Sequence, residues 1–314
     1  MRLVRGLPAS AAEPIALTIG NFDGVHRGHQ AMLARLCEAA EDLRLPSAAM
    51  TFDPHPREFF APDTAPPRLS STRTKLELFR AFGVAQAHVV RFDARLASLT
   101  ADAFVDEILV RCLGVRWVLV GDDFRFGRGR GGDLATLRAH ANTFSVEAMT
   151  TVEIDGERAS STAVRAALAA GDLARATALL GRPYSMSGRV VHGRKLGRTL
   201  GFPTANLPLR HKPPLAGVFA VRVHGIAGGP RDGVASVGVR PTVTSDNQPV
   251  LEVFVFDFQG ALYGRRLTVE FLHKLRDEAR YPSLEALVAQ MNVDAAQARG
   301  FLAAANADRV EMAK

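Results

Sequence analysis

Cysteine is nearly absent: Cys37 and Cys112 are the two in 314 residues, too few for a disulfide framework and too isolated for a zinc set. Both fall in stretches of helical periodicity, so they are expected as reduced core thiols. No apolar run approaches the ~20 residues that a membrane span requires. Residues 1–14 hold no signal-peptide core, so export is not expected and a cytoplasmic location is. Internal repeats and low-complexity tracts are missing, and so is the Gly-Lys-Ser/Thr ending of a P-loop. What is present is an ordinary globular composition, 47% hydrophobic and 23% charged, with length enough for two domains or one large one. The net charge is +7. Its basic residues are mostly arginine and scattered rather than gathered on one helix, which favours small phosphorylated ligands over a polynucleotide.

The most informative stretch is Thr18 to Gln30. The apolar run Ile15 to Ile19 reads as a buried strand ending at Gly20. After it Met32, Leu33, Leu36, Ala39, Ala40 and Leu43 recur at helical spacing, so a helix begins near His29. A strand, a glycine turn and a helix start offer unpaired amides and a positive dipole end to phosphate. His26 and His29, three apart, can both face that point, and Gly28 allows close approach. A metal pair or two solvated histidines would fit the spacing alone. With the strand, the turn and the helix in place, a nucleotide triphosphate site is the better reading.

Downstream, Ser47 to Phe52, Ala87 to Phe92 and Arg116 to Val120 read as strands. Helices are expected over Thr72 to Phe82 and from Thr100 to Leu113. This β-α-β-α order predicts a Rossmann-like α/β domain with a parallel sheet and ligands at the carboxyl ends of its strands. Gly20 to His29, Phe52 to Pro56 and Gly121 to Gly127 all fall at such ends. Helices capped at Ser160 or Ser161 and at Asp172 follow, ending before Gly171 and Gly181. Beyond residue 184 the texture changes to short alternating strands (187–192, 218–224, 234–239, 251–258, 267–275), which predicts an antiparallel β-barrel. Ser283 should open a C-terminal helix and Asp294 another. The domains are therefore expected at 1–184 and 185–314.

Six motifs in order carry a resemblance: Gly20-Asn21-Phe22-Asp23-Gly24-Val25-His26-Arg27-Gly28-His29, Thr51-Phe52-Asp53-Pro54-His55-Pro56, Gly121-Asp122-Asp123-Phe124-Arg125-Phe126-Gly127, Ser160-Ser161-Thr162, Gly201-Phe202-Pro203-Thr204-Ala205-Asn206, and Asp257-Phe258 through Leu262-Tyr263-Gly264. The chain resembles the bacterial bifunctional riboflavin kinase/FAD synthetases over nearly its whole length. The resemblance implies that the N-terminal domain adenylylates FMN with ATP and that the C-terminal domain phosphorylates riboflavin. ATP would be the co-substrate, Mg2+ the metal, and riboflavin, FMN and FAD the substrates or products. In the first domain His26 and His29 would act on the phosphates. Gly20, Phe22, Asp23, Gly28, Asp123, Arg158, Ser161, Thr162 and Arg165 would bind ATP. Phe52, Pro54, Pro56, Phe60 and Phe126 are candidates for an apolar slot for the flavin ring.

In the second domain Gly193, Lys195 and Gly201 belong to a basic glycine loop suited to ATP phosphates. Thr204 and Asn206, two apart in extended chain, share a face and suit magnesium. Glu252 matches the family's general base for the riboflavin 5′-hydroxyl, although an acid in an apolar strand is often only its solvent-facing residue. Arg276 resembles a flavin-proximal residue. Two departures stand out: Ala163 where relatives carry a basic residue, and Phe254 where they often carry His. They leave open an enzyme with one activity retained. The Arg-Gly run 125–132 resembles an RNA-binding segment, but one short copy reads better as a loop over a phosphate site. Partners are expected to be small molecules, with no nucleic acid, no membrane, and self-association at most transient.

Overall fold

Every residue of Ile15–Ile19 (β2) is buried, because this strand lies at the centre of a parallel sheet covered on both faces. The computed structural model describes residues 1–193, 197, 200–239 and 249–312. Contacts divide the chain into two units, Met1–Pro66 with Ser70–Ser161 and Pro67–Leu69 with Thr162–Lys314.

In the first unit β1 (Arg2–Arg5), β2, β3 (Ser47–Asp53), β4 (Gln86–Arg91), β5 (Val115–Gly121) and β6 (Ser145–Met149) form one sheet. All neighbours are parallel, in the order β1-β4-β3-β2-β5-β6. Strands β2, β3 and β4 succeed one another toward one edge, whereas β5 returns to the other side of β2. The loops after β2 and β5 therefore flank a topological switch point, where open α/β sheets bind ligands. Alternation splits the strands between two cores. Ala16 and Leu119 pack with Leu33 and Leu36 of α1 (Arg27–Asp42), while Leu17, Met50 and Val118 pack with Phe104, Ile108 and Leu109. The edge strands β1 and β6 were not expected, since exposed edges carry little apolar alternation.

The short helices α2 (Pro56–Phe60), α3 (Thr72–Ala81) and α4 (Ala94–Ser98) complete the region up to residue 98. Thr100 caps α5 (Ala101–Ala103), its hydroxyl accepting from the Ala103 amide at 3.2 Å. The expected α-helix does not continue as such. Phe104–Cys112 is a π-helix that buries one side, as an α-helix would, so apolar spacing alone could not distinguish them. After α6 (Leu134–Ala139) come α7 (Ser161–Ala170) and α8 (Leu173–Leu180). Asp172 caps α8, and Gly181 closes it at φ 70°. Between α6 and α7 a two-strand hairpin joins β7 (Glu153–Ile154) to β8 (Glu157–Arg158). By contact, residues 162–184 cluster with the second unit.

That second unit is an antiparallel sheet of β9 (Ser185–Arg189), β10 (Thr204–Pro208), β11 (Gly217–His224), β12 (Arg231–Val239), β13 (Pro249–Val255) and β14 (Arg266–Arg276). Its order is β10-β13-β12-β11-β14-β9, and a bridge between Val191 and Asn206 nearly closes it into a barrel. Phe219, Val221, Val237, Leu251, Val253, Val269 and Phe271 are at most 1% exposed and fill the interior. The alternate residues face outward, and α9 (Leu284–Met312) covers part of that face through Ala298 and Leu302. The expectation of a separate helix opening at Asp294 is corrected: α9 runs through it unbroken. The Asp294 carboxylate is 3% exposed and bonded to Arg276 and Gln290, so it does not compete for backbone amides as a cap would.

Candidate active sites

The loop after β2 is built around backbone that ordinary residues avoid. Phe22 and Val25 sit at φ 48° and 43°, beside Gly24 at 82°. Such conformations persist only when the surroundings hold them. Here the Asn21 carbonyl accepts from Lys75 Nζ at 2.8 Å and from Thr51 Oγ1 at 3.1 Å. The Asp23 carboxylate accepts from the Ser70 amide and hydroxyl at 3.0 and 3.2 Å. Ser161 donates to the Asp23 carbonyl at 2.8 Å. Ser70 and Lys75 escaped the sequence reading. The one available signal was Lys75, four residues before Phe79 on the buried stripe of α3.

The loop delivers His26 and His29 to the start of α1. Their rings stack with centroids 3.7 Å apart, and the Phe22 ring lies 5.0 Å behind His29. His26 occupies the N-cap position with extended backbone and makes no side-chain capping bond, so it does not consume the amides of the first turn. The Nδ1 of His29 is buried without a hydrogen-bond partner among the described residues. Burial holds the His29 imidazole well below its ordinary pKa, with His26 and Lys75 adding to the effect. A neutral imidazole with an unsatisfied buried nitrogen at a helix start is suited to meet a phosphoryl oxygen, to which an N–H of the ring donates. A β-carbon on Gly28 would stand 3.2 Å from the His26 ring and 3.3 Å from the Ala159 carbonyl, so glycine keeps the approach open.

Beyond β5, Asp123 and Arg158 come together as an exposed ion pair at 2.5 Å. Three assignments of the first unit are corrected in role. Phe22 is 0% exposed and packs edge-on against Phe79, so its ring supports His29 and any contact of this residue with ATP falls to its backbone. Asp23 is 3% exposed and spends its carboxylate on Ser70, so it positions the loop. Phe126 is 7% exposed and packs with Phe104 and Phe124, which makes it core and removes it from the flavin slot. The other aromatics do gather: Phe52, Phe59 and Phe60 each contact Phe92, with Phe60 67% exposed. Pro56 starts α2, which His55 caps. Pro54, after a cis peptide, lines an open hollow of about 390 Å³ with Arg5, Asp53 and Arg91.

Thr162 and Arg165 fall in the second unit, where Thr162 is exposed and Arg165 donates to the Pro67 carbonyl at 2.7 Å.

The second site follows from strand register. Asn206 lies opposite Glu252, and Glu252 opposite Ser236, so one row crosses β10, β13 and β12. Thr204, Phe254 and Val234 form the next row on the same face. All six line a cavity of about 410 Å³ between this outward face and the first turns of α9. Sequence distance hides the arrangement, because only pairing brings these residues together. Gly193 lies against the Asn206 carboxamide so closely that a β-carbon would fill the space. Asn206 Nδ2 donates to the Thr204 carbonyl at 3.3 Å, which makes its amide oxygen the acceptor end. A hydroxyl and a carboxamide oxygen fit a hard cation that completes its shell from phosphate and water. Among the described residues no cluster of three His, Cys, Asp or Glu offers an all-protein metal site.

Arg276 lines the cavity too, but its guanidinium is bound to Asp294 by contacts of 2.7 to 3.1 Å, so it works as a clamp between β14 and α9. Gly201, the last residue of the basic glycine loop, stands at φ 84°, while Lys195 lies outside the described residues.

The fold defines the class: a parallel α/β unit with a helix start at its switch point, followed in sequence by an antiparallel barrel with a cavity of its own. Family models agree, "FAD synthetase" over residues 9–163 and "Riboflavin kinase" over 180–302. The bifunctional riboflavin kinase/FMN adenylyltransferase of Pseudomonas fluorescens is 53% identical over 98% of this chain and 100% of its own. Those of Escherichia coli K12 and Haemophilus influenzae are 48% and 44% identical over 96% of this chain and 98% and 99% of theirs. A crystal structure described as a macrolide-efflux protein from Streptococcus pneumoniae matches with a TM-score of 0.79 at 30% identity, covering 94% of this chain and 97% of that one. Among the described residues, no helix is long and apolar enough to cross a membrane. The chain belongs to the bifunctional riboflavin kinase/FMN adenylyltransferase family, its FAD synthetase domain N-terminal and its riboflavin kinase domain C-terminal.

Proposed function

We propose that the two assemblies described above are the seats of the two reactions, adenylyl transfer in residues 1–184 and phosphoryl transfer in residues 185–314. In the first, an FMN phosphate oxygen attacks the α-phosphorus of ATP, the α–β bridge breaks and pyrophosphate leaves. Alignment and charge stabilisation suffice for such a transfer. His26, His29 and the first amides of α1 donate to the phosphoryl oxygens, with Gly20 and Gly28 leaving room. Arg158, held ready by Asp123, adds a cation. Thr162 and Arg165 join on the strength of the sequence motif alone. Phe52, Pro54, Pro56 and Phe60 offer apolar surface to the flavin ring.

In the second, Glu252 takes the proton of the riboflavin 5′-hydroxyl, whose oxygen attacks the γ-phosphorus of ATP and releases ADP. Thr204 and Asn206 would hold magnesium together with ATP phosphate oxygens, and the ion supplies charge neutralisation on the transferred group. Gly193, Lys195 and Gly201 are assigned to ATP phosphates on the sequence motif, with Gly193 packed against Asn206. The observation that carries this reading is the row Asn206–Glu252–Ser236, which sets a base one strand away from a cation ligand. Small-molecule partners, no nucleic acid and a cytoplasmic location belong to the same proposal.

Product chromatography with riboflavin, ATP and Mg2+ tests it. His29→Ala is expected to lower FAD formation about 10²–10³-fold and leave FMN formation intact. Glu252→Gln is expected to lower FMN formation by about 10²–10⁴-fold and spare FAD formation from added FMN. If either change affected both products alike, the division of labour would be wrong.

A further inference from the structure

We propose that Glu278 is the positioning residue for the hydroxylated side chain of the phosphoryl acceptor. The inference rests on the kinase reading of the cavity and extends it to a residue that no motif singled out. Glu278 lies in the segment joining β14 to α9 and lines the cavity with Glu252 and Ser236. Ser236 donates to its carboxylate at 3.4 Å. The carboxylate rests where a side chain on Gly238 would stand, so the bare backbone of β12 forms its seat. Arg276 fixes the start of the segment, bound to Asp294 on one side and donating to the Asp277 carbonyl at 2.9 Å on the other.

Register sets the geometry. Ser236 is one strand from Glu252 and two from Asn206, and neighbouring strands stand about 4.8 Å apart. An acceptor with its terminal hydroxyl at Glu252 therefore has its next two or three carbons beside Ser236 and Glu278. Two carboxylates on one wall call for hydrogen-bond donors, and the positive charge of Arg276 is already matched by Asp294. A chain of secondary hydroxyls supplies donors at that spacing; an apolar or anionic chain does not. Burial pushes the Glu278 carboxyl above its ordinary pKa, Glu252 adds to the rise, and Ser236 and Arg276 oppose it.

The test compares riboflavin with a flavin carrying a 5-hydroxypentyl chain at N10, which keeps the ring and the terminal hydroxyl and lacks the secondary ones. Glu278→Ala is expected to lower kcat/KM for riboflavin about 10- to 100-fold, mainly through KM, with little effect on the hydroxypentyl flavin or on the KM for ATP. Glu278→Gln, which keeps an acceptor oxygen, should recover part of the loss. FAD formation from supplied FMN checks that each variant is folded. Equal losses with both acceptors, or none with either, would overturn the proposal and leave the kinase reading standing. A wild-type protein that makes no FMN would overturn that reading and this one together.

Discussion

At the scale of single residues, buried histidines dominate the physics of the first unit. His88 on β4 is 4% exposed, and neither ring nitrogen has a hydrogen-bond partner among the described residues. Burial, and secondarily Arg2, lowers its pKa, and His29 is lowered for the same primary reason. The unfolded chain then takes up protons near pH 6.5 while the folded unit resists them. The stabilisation is whole above that pH and is lost as pH falls toward the folded-state values. The slope is about 1.4 kcal/mol per pH unit for each histidine. Trp117, the single tryptophan and 6% exposed, reports on this unit. Urea midpoints followed by its fluorescence should drop between pH 7 and 5.5, and His88→Leu should flatten that dependence. Parallel slopes for the two proteins would show that His88 has no part in it.

At the scale of elements, legibility followed periodicity. β2, α1, β3, α3 and β5 announced themselves through buried stripes, and Thr100, Asp172 and Gly181 marked ends by cap chemistry. Edge strands and the π-helix left no such trace. Aromatic residues at strand ends were ambiguous for a physical reason: Phe60 points to solvent and Phe126 into the core, and nothing local separates them. The second site was half legible. Thr204 and Asn206 share a face by local alternation, whereas the alignment of Glu252 and Ser236 with them depends on pairing between distant strands. Asp294 was misread as a cap because its partner, Arg276, arrives from β14. Breaking this pair has a measurable cost. Asp294→Ala leaves a mostly buried guanidinium unpaired and should destabilise the β14–α9 junction by about 3 kcal/mol. Amide hydrogen exchange along α9 should rise accordingly, and the double change Arg276→Met with Asp294→Leu should recover much of the loss. Unchanged protection in Asp294→Ala would remove the clamp from the account.

At the scale of the whole molecule, the proposed sites are two unlike solutions to triphosphate chemistry in one chain. In the first unit it is a strained loop, stacked imidazoles and a helix start at a sheet switch point; in the second, a cross-strand row beneath a helix. The two family models match residues 9–163 and 180–302, and the relatives match over nearly the full chain. Both activities are expected to be retained despite Ala163 and Phe254, because the chain matches bifunctional relatives over nearly its whole length. The most direct measurement follows labelled ATP into separated products. From riboflavin, γ-labelled ATP should mark FMN and the FAD made from it, while α-labelled ATP should mark FAD alone among the flavins, the rest of that label staying in ADP and ATP. From supplied FMN, the γ label should leave entirely in pyrophosphate. An α label in FMN, or a γ label in FAD made from unlabelled FMN, would contradict the account.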